Sequence, residues 1–176
     1  MSFFIKERVM KNIYTIILML LIAGCGGSSE EAAPETEAAV SQSIKAPDFT
    51  LPDLNGTSFS LADYSGKPVL VVFWATWCPH CKDEIPVLRD VHEKYKGTDF
   101  TILSVSVDNK PDKLKEFAKE NGIEYSVLFD EGTVIAKSYG VVGIPANYVI
   151  DPDGNGYYYG QNIEDAMKKV DSYLNN

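Results

Sequence analysis

Trp77-Cys78-Pro79-His80-Cys81 places two cysteines three apart directly behind the apolar run Val69–Trp74. A pair so spaced can open to a dithiol and close to a Cys78–Cys81 disulfide, which is the chemistry of thiol-disulfide exchange. Val69–Trp74 reads as a strand buried on both faces of a parallel sheet, and Ala75-Thr76-Trp77 as a short loop after it. From Cys78 onward the pattern turns helical, with Ile85, Leu88, Val91, His92 and Tyr95 recurring at three and four. Cys78 therefore falls at a helix N-terminus. There the free N–H groups and the dipole favour a thiolate, the nucleophilic form of cysteine. Cys78 is expected to be the attacking thiol, and Cys81, one turn deeper on the same face, the resolving one. Pro79 suits the first turn, where its missing N–H is not needed, and His80 can bring a positive charge beside the thiolate. Pro86 predicts a kink further along.

The elements that hold this pair follow from the rest of the chain. Asp48–Leu51 and Thr57–Ser60 flank Asn55-Gly56, a hairpin signal, and Leu61–Tyr64 can form one helical turn. Phe100–Val107 alternates as a strand. Pro111–Asn121 reads as an amphipathic helix with Leu114, Phe117 and Ala118 inward, ended by Gly122. Ile123–Phe129 suits a short strand and Gly132–Tyr139 a helix. Asn147–Ile150, the turn Asp151–Gly154 and Gly156–Gly160 suit a strand pair, and Ile163–Leu174 a closing amphipathic helix. Strands alternating with helices, then a hairpin and a helix, argue α/β with a mixed sheet. Trp74 is assigned to the core, and Tyr157–Tyr159 to strand packing.

Lys6, Arg8 and Lys11 precede an apolar run, Ile13–Ala23, of about a dozen residues, as in a secretory signal and short for a membrane span of about 20. Leu21-Ile22-Ala23-Gly24-Cys25 resembles the lipobox of bacterial lipoproteins, which implies a signal peptide over 1–24 and a lipid on Cys25. The plainer alternative is an N-terminal anchor helix with an incidental thiol. The lipobox reading also accounts for three cysteines: one for lipid and two for redox. An exported chain meets an oxidising compartment, where such a pair serves exchange. Residues 25–45 read as the lipidated cysteine and a Ser/Glu/Ala-rich tether, on the order of 25 Å long as a coil. Residues 46–176 suffice for one domain. The chain carries a net charge of −9, which argues against nucleic acid, since phosphate binding needs clustered basic residues.

Four segments carry a family resemblance: Ala46-Pro47-Asp48-Phe49-Thr50-Leu51, Val72–Cys78 with Cys81, Glu84, and Val142-Gly143-Ile144-Pro145. Over Ala46 to about Leu174 the chain resembles the thioredoxin superfamily, in the membrane-anchored TlpA/ResA-like branch related to AhpC/TSA. The resemblance implies a thioredoxin-like fold: a central mixed β-sheet flanked by helices, with an N-terminal β-hairpin and a βα insertion. It implies a thiol-disulfide oxidoreductase that acts on protein disulfides or dithiols without a cofactor or metal, supplied by a membrane thiol carrier. Glu84 falls where relatives place an acidic residue beneath the dithiol, to accept or relay the Cys81 proton. Its alternative is an exposed pairing with Lys82 or Arg89. Pro145, if cis, would leave the Ile144 backbone groups free to pair with an extended substrate. Trp77 would shield one side of the dithiol. Asn147 stands where relatives often carry Thr, a departure expected to alter loop contacts only.

Pro79-His80 is a second departure: reductive relatives often carry Glu-Pro there, whereas Pro-His is familiar in DsbA-like oxidants. Reduction, for example of apocytochrome c cysteines, is the favoured direction, with oxidation or isomerisation as the alternative. A peroxiredoxin-type peroxidase is disfavoured because no proline precedes Cys78 at the needed place. A copper chaperone is disfavoured because His80 and His92 are the available histidines, neither at the spacing of such proteins.

Overall fold

The computed structural model describes residues 43–175. The expectations for 1–42, the signal peptide and the lipid on Cys25 among them, lie outside these residues. Six strands form one sheet in the order β1-β8-β7-β4-β5-β6. These are β1 Ile44–Lys45, β4 Val69–Trp74, β5 Thr101–Ser106, β6 Ser126–Phe129, β7 Ala146–Ile150 and β8 Asn155–Gly160. The strands β4, β5 and β6 run parallel, and β7 enters antiparallel to β4. The continuous apolar run of β4 is explained by its place inside the sheet: all its side chains are buried. Leu70, Val72 and Trp74 face one layer, while Val69, Val71 and Phe73 face the other.

Helices α1 Pro79–Tyr95 and α4 Ile163–Leu174 cover the first face, joined by α2 Pro111–Glu120 through Leu114 and Ala118. The Tyr95 hydroxyl donates to Asp171 and ties α1 to α4. Helix α3 Val134–Ser138, the 3-10 turn at Leu61–Tyr64 and the hairpin of β2 Thr50–Pro52 with β3 Ser58–Ser60 cover the second face. The α/β class with a mixed central sheet flanked by helices is as expected, and β6, reached through α2, extends the sheet beyond β5. Gly122 at φ +60° follows α2, a conformation that spares a side chain the left-handed strain.

Two details differ from expectation. The sequence places the tether as far as Lys45, whereas Ile44 and Lys45 pair with Gly156 and Asn155 of β8, so the sheet begins before Ala46. The first hairpin does not turn on Asn55-Gly56 alone. Its loop runs from Asp53 to Thr57, because the Asp53 carboxylate accepts from the backbone N–H groups of Asn55 at 2.8 Å and Thr57 at 2.7 Å. That side chain offers the backbone a competing partner and widens the turn. Pro86, where a kink is expected, lies inside helix α1.

Candidate active site

The end of β4 delivers the chain to α1 at the sheet's centre, and the connection is fixed from below. Asp108, buried just after β5, accepts from Thr76 N at 2.9 Å, Thr76 Oγ1 at 2.7 Å and Ser106 Oγ at 2.8 Å. Val107 N donates to the Trp74 carbonyl at 2.9 Å. The loop before Cys78 is thus clamped to the neighbouring strand, an anchor that sequence spacing did not reveal because the two residues lie 32 apart. Asp108→Ala removes a carboxylate with three donors, so the variant is expected to lose about 2–3 kcal/mol of stability, measured by urea unfolding.

Cys78 caps α1, with Pro79 in its first turn. Its Sγ accepts from the Cys81 N–H at 3.2 Å. The two cysteines form a disulfide with Cα atoms 5.3 Å apart. Both sulfurs are buried, Cys78 at 5% exposed and Cys81 at 2%. A thiolate on Cys78 would inherit the N–H contact and the helix dipole, which lower its proton affinity.

The loop before β7 closes over the pair. The Ile144–Pro145 peptide is cis, and the Ile144 carbonyl oxygen lies 3.7 Å from Cys78 Sγ. Trp77 is 65% exposed and Val142 fully so. Trp77 therefore offers most of its ring to solvent rather than enclosing the dithiol. His80 is also exposed, its Nδ1 3.9 Å from an Asp83 carboxylate oxygen.

Glu84, one turn beyond Cys81 on α1, is 8% exposed. Its carboxylate turns inward, away from the surface pairing with Lys82 or Arg89. Burial pushes its pKa up to about 7, against the smaller, opposing pull of the Asn147 side chain. Asn147 Nδ2 donates to Glu84 Oε1 at 3.3 Å and Oε2 at 3.4 Å. Asn147 is expected from the sequence to touch only its loop; alternation along β7 instead aims it at the helix-covered face, where it meets Glu84. A carboxyl group balanced near neutrality can exchange a proton at ordinary pH.

Among the described residues, His92, Glu93 and Glu124 each bring a ligand atom within 4.8 Å of the others. Lys96 Nζ already pairs with Glu93 at 3.1 Å and Glu124 at 3.8 Å. Beside them a cavity of about 290 Å³ is lined by His92, Tyr95, Phe100 and Tyr125. It lies about 20 Å along α1 from Cys78 at 1.5 Å per residue, so it takes no part in the dithiol's chemistry. No helix among the described residues is long and apolar enough to cross a membrane.

The AhpC/TSA family profile matches residues 43–157. The chain is 30% identical over 171 residues to the thiol-disulfide oxidoreductase ResA of Bacillus thuringiensis subsp. konkukian, covering 94% of this chain and 98% of that protein. A Chlorobium tepidum structure described as a thiol:disulfide interchange protein DsbE superposes with a TM-score of 0.67 at 29% identity, over 75% of this chain and 99% of that one. The thioredoxin domain of a Bacteroides vulgatus thiol-disulfide oxidoreductase gives 0.66 at 31% identity, over 74% and 96%.

Proposed function

The chain belongs to the AhpC/TSA family, as a ResA-like thiol-disulfide oxidoreductase of the thioredoxin superfamily, and on that premise we propose that it is an extracytoplasmic reductant of protein disulfides. The observation that carries the reading is the placement of Cys78: a helix-capping sulfur beside the Ile144 carbonyl, with exposed Trp77 next to it in the chain and exposed Val142 two residues before Ile144. An extended substrate lies along the Ile144 backbone and packs on those two apolar side chains.

Cys78 thiolate attacks one sulfur of the substrate disulfide. The substrate S–S bond breaks, a mixed disulfide forms and the first substrate sulfur leaves as thiolate. Glu84 takes the Cys81 proton. Cys81 then attacks Cys78 Sγ, the Cys78–Cys81 bond forms and the second substrate sulfur departs. Two electrons have passed to the substrate, and a membrane dithiol carrier returns them. The basic stretch and apolar run before Leu21-Ile22-Ala23-Gly24-Cys25 support export, cleavage after Gly24 and lipid attachment at Cys25, with residues following it as a tether. Cytochrome c cysteines awaiting haem are the example substrate.

Asp83 beside His80 supports the reductive direction, since its negative charge offsets what a protonated His80 lends to the thiolate. A less stabilised thiolate means a more reducing dithiol. The test is the reduction potential of the Cys78/Cys81 pair against glutathione or dithiothreitol buffers. A value near or below about −250 mV is expected; one above about −150 mV would make the protein a disulfide donor and end the cytochrome-maturation proposal.

A further inference from the structure

We propose that Asn147 is a positioning residue for proton transfer at this site: its side-chain amide holds the Glu84 carboxylate one helical turn from Cys81 and stabilises the ionised form. The inference rests on the role given to Glu84 above and adds the group that governs it.

Asn147 is fully buried in β7, next to the strand that leads to the dithiol. Its Nδ2 has two hydrogens and three acceptors: the Gly160 carbonyl at 3.0 Å and the two Glu84 oxygens at 3.3 and 3.4 Å. One hydrogen goes to Gly160 and the other is shared by the carboxylate. The opposite amide orientation would set an oxygen against three oxygens, so the chemistry fixes which way the group points. The Oδ1 left on the other side is buried with no donor. The amide therefore keeps its donors on Glu84 and Gly160 at the expense of its own acceptor.

The backbone is arranged to allow this. Asn147 pairs with Gly160 while Tyr148 pairs with Tyr158, so Tyr159 is an extra residue and β8 bulges opposite Asn147. Gly160 takes φ +58°. A bulge re-aims the groups around it, and here the Gly160 carbonyl anchors the amide beneath α1. Donation to a carboxylate favours its charged form, which opposes the desolvation that raises the Glu84 pKa. The titratable group that feels the Glu84 charge is Tyr125, ahead of β6, while Cys81 on its own helix does not titrate in the disulfide. The Tyr125 phenol is raised chiefly by burial, drawn down by Arg89 and raised again by Glu84.

The experiment is a pH titration of the Glu84 δ-carboxyl by ¹³C NMR in the oxidised protein, its resonance assigned by its loss in Glu84→Gln. Asn147→Leu removes the donors at similar volume, and Asn147→Thr keeps one hydroxyl in a side chain suited to strands. The expected result is an upward move of the midpoint by about one unit, a tenfold weaker ionisation, in Asn147→Leu and a smaller move in Asn147→Thr. An unmoved midpoint in a folded Asn147→Leu would make the residue merely structural. Should that variant not fold, an unmoved midpoint in Asn147→Thr overturns the proposal equally. The titration needs no turnover, so it is separable from the relay itself. If Glu84→Gln leaves exchange unchanged the relay falls, whatever the Asn147 variants do to the midpoint.

Discussion

Cys81→Ser protein incubated with a disulfide-bearing protein is expected to accumulate as a covalent mixed disulfide through Cys78, seen as a mass adduct that dithiothreitol releases. Cys78→Ser is expected to form no adduct and to return exchange to the uncatalysed pace of minutes to hours. The two cysteines differ by position. Cys78 caps α1 and sits against the Ile144 carbonyl, whereas Cys81 is inside the first turn and more deeply covered. Only the capping sulfur has both the dipole's support and a place between exposed Trp77 and the Ile144 carbonyl. Without Cys81 no internal thiol is adjacent to break the mixed bond, so the intermediate persists. Adducts through Cys81 in the Cys78→Ser protein would reverse the assignment.

The parts of this architecture that could be read in the chain are those with a strong local period. Val69–Trp74 and Ile163–Leu174 have the bounds their apolar patterns indicate, because burial on both faces or along one stripe leaves a clear trace. Pairing across the sheet leaves none: nothing local in Ile44-Lys45 marks two exposed residues as an edge strand against Gly156 and Asn155. The same holds for side chains that act at a distance. Asp108 clamping Thr76 and Asn147 reaching Glu84 are polar residues at strand ends or inside a strand, and only the order β7-β4-β5 brings them to the dithiol. A polar residue at an inward position of β7 was nonetheless a usable signal. Buried amides need partners, and the facing helix offered Glu84.

Glu84→Gln is expected to slow resolution of the mixed disulfide by about 10²-fold at pH 7, the scale of a lost general base. In the native protein the step should accelerate as pH rises through about 7, where Glu84 becomes the carboxylate that accepts the Cys81 proton. The variant should lack this limb and recover only at higher pH, as the buried Cys81 thiol loses its proton unaided. Gln retains an oxygen for the Asn147 amide, so the comparison removes the titrating group with little change of shape. Stability should carry the same signature with a definite sign. The Glu84 pKa is raised on folding, from 4.5 to about 7, so between those values the native state holds the proton that the unfolded chain has released. Its contribution to stability falls as pH rises through that window and is constant outside it. Urea unfolding from pH 4.5 to 7.5 should therefore show the difference between Gln variant and native protein growing in the variant's favour. A difference that stays flat would mean Glu84 is ionised throughout, leaving Cys81 without a base suited to neutral pH.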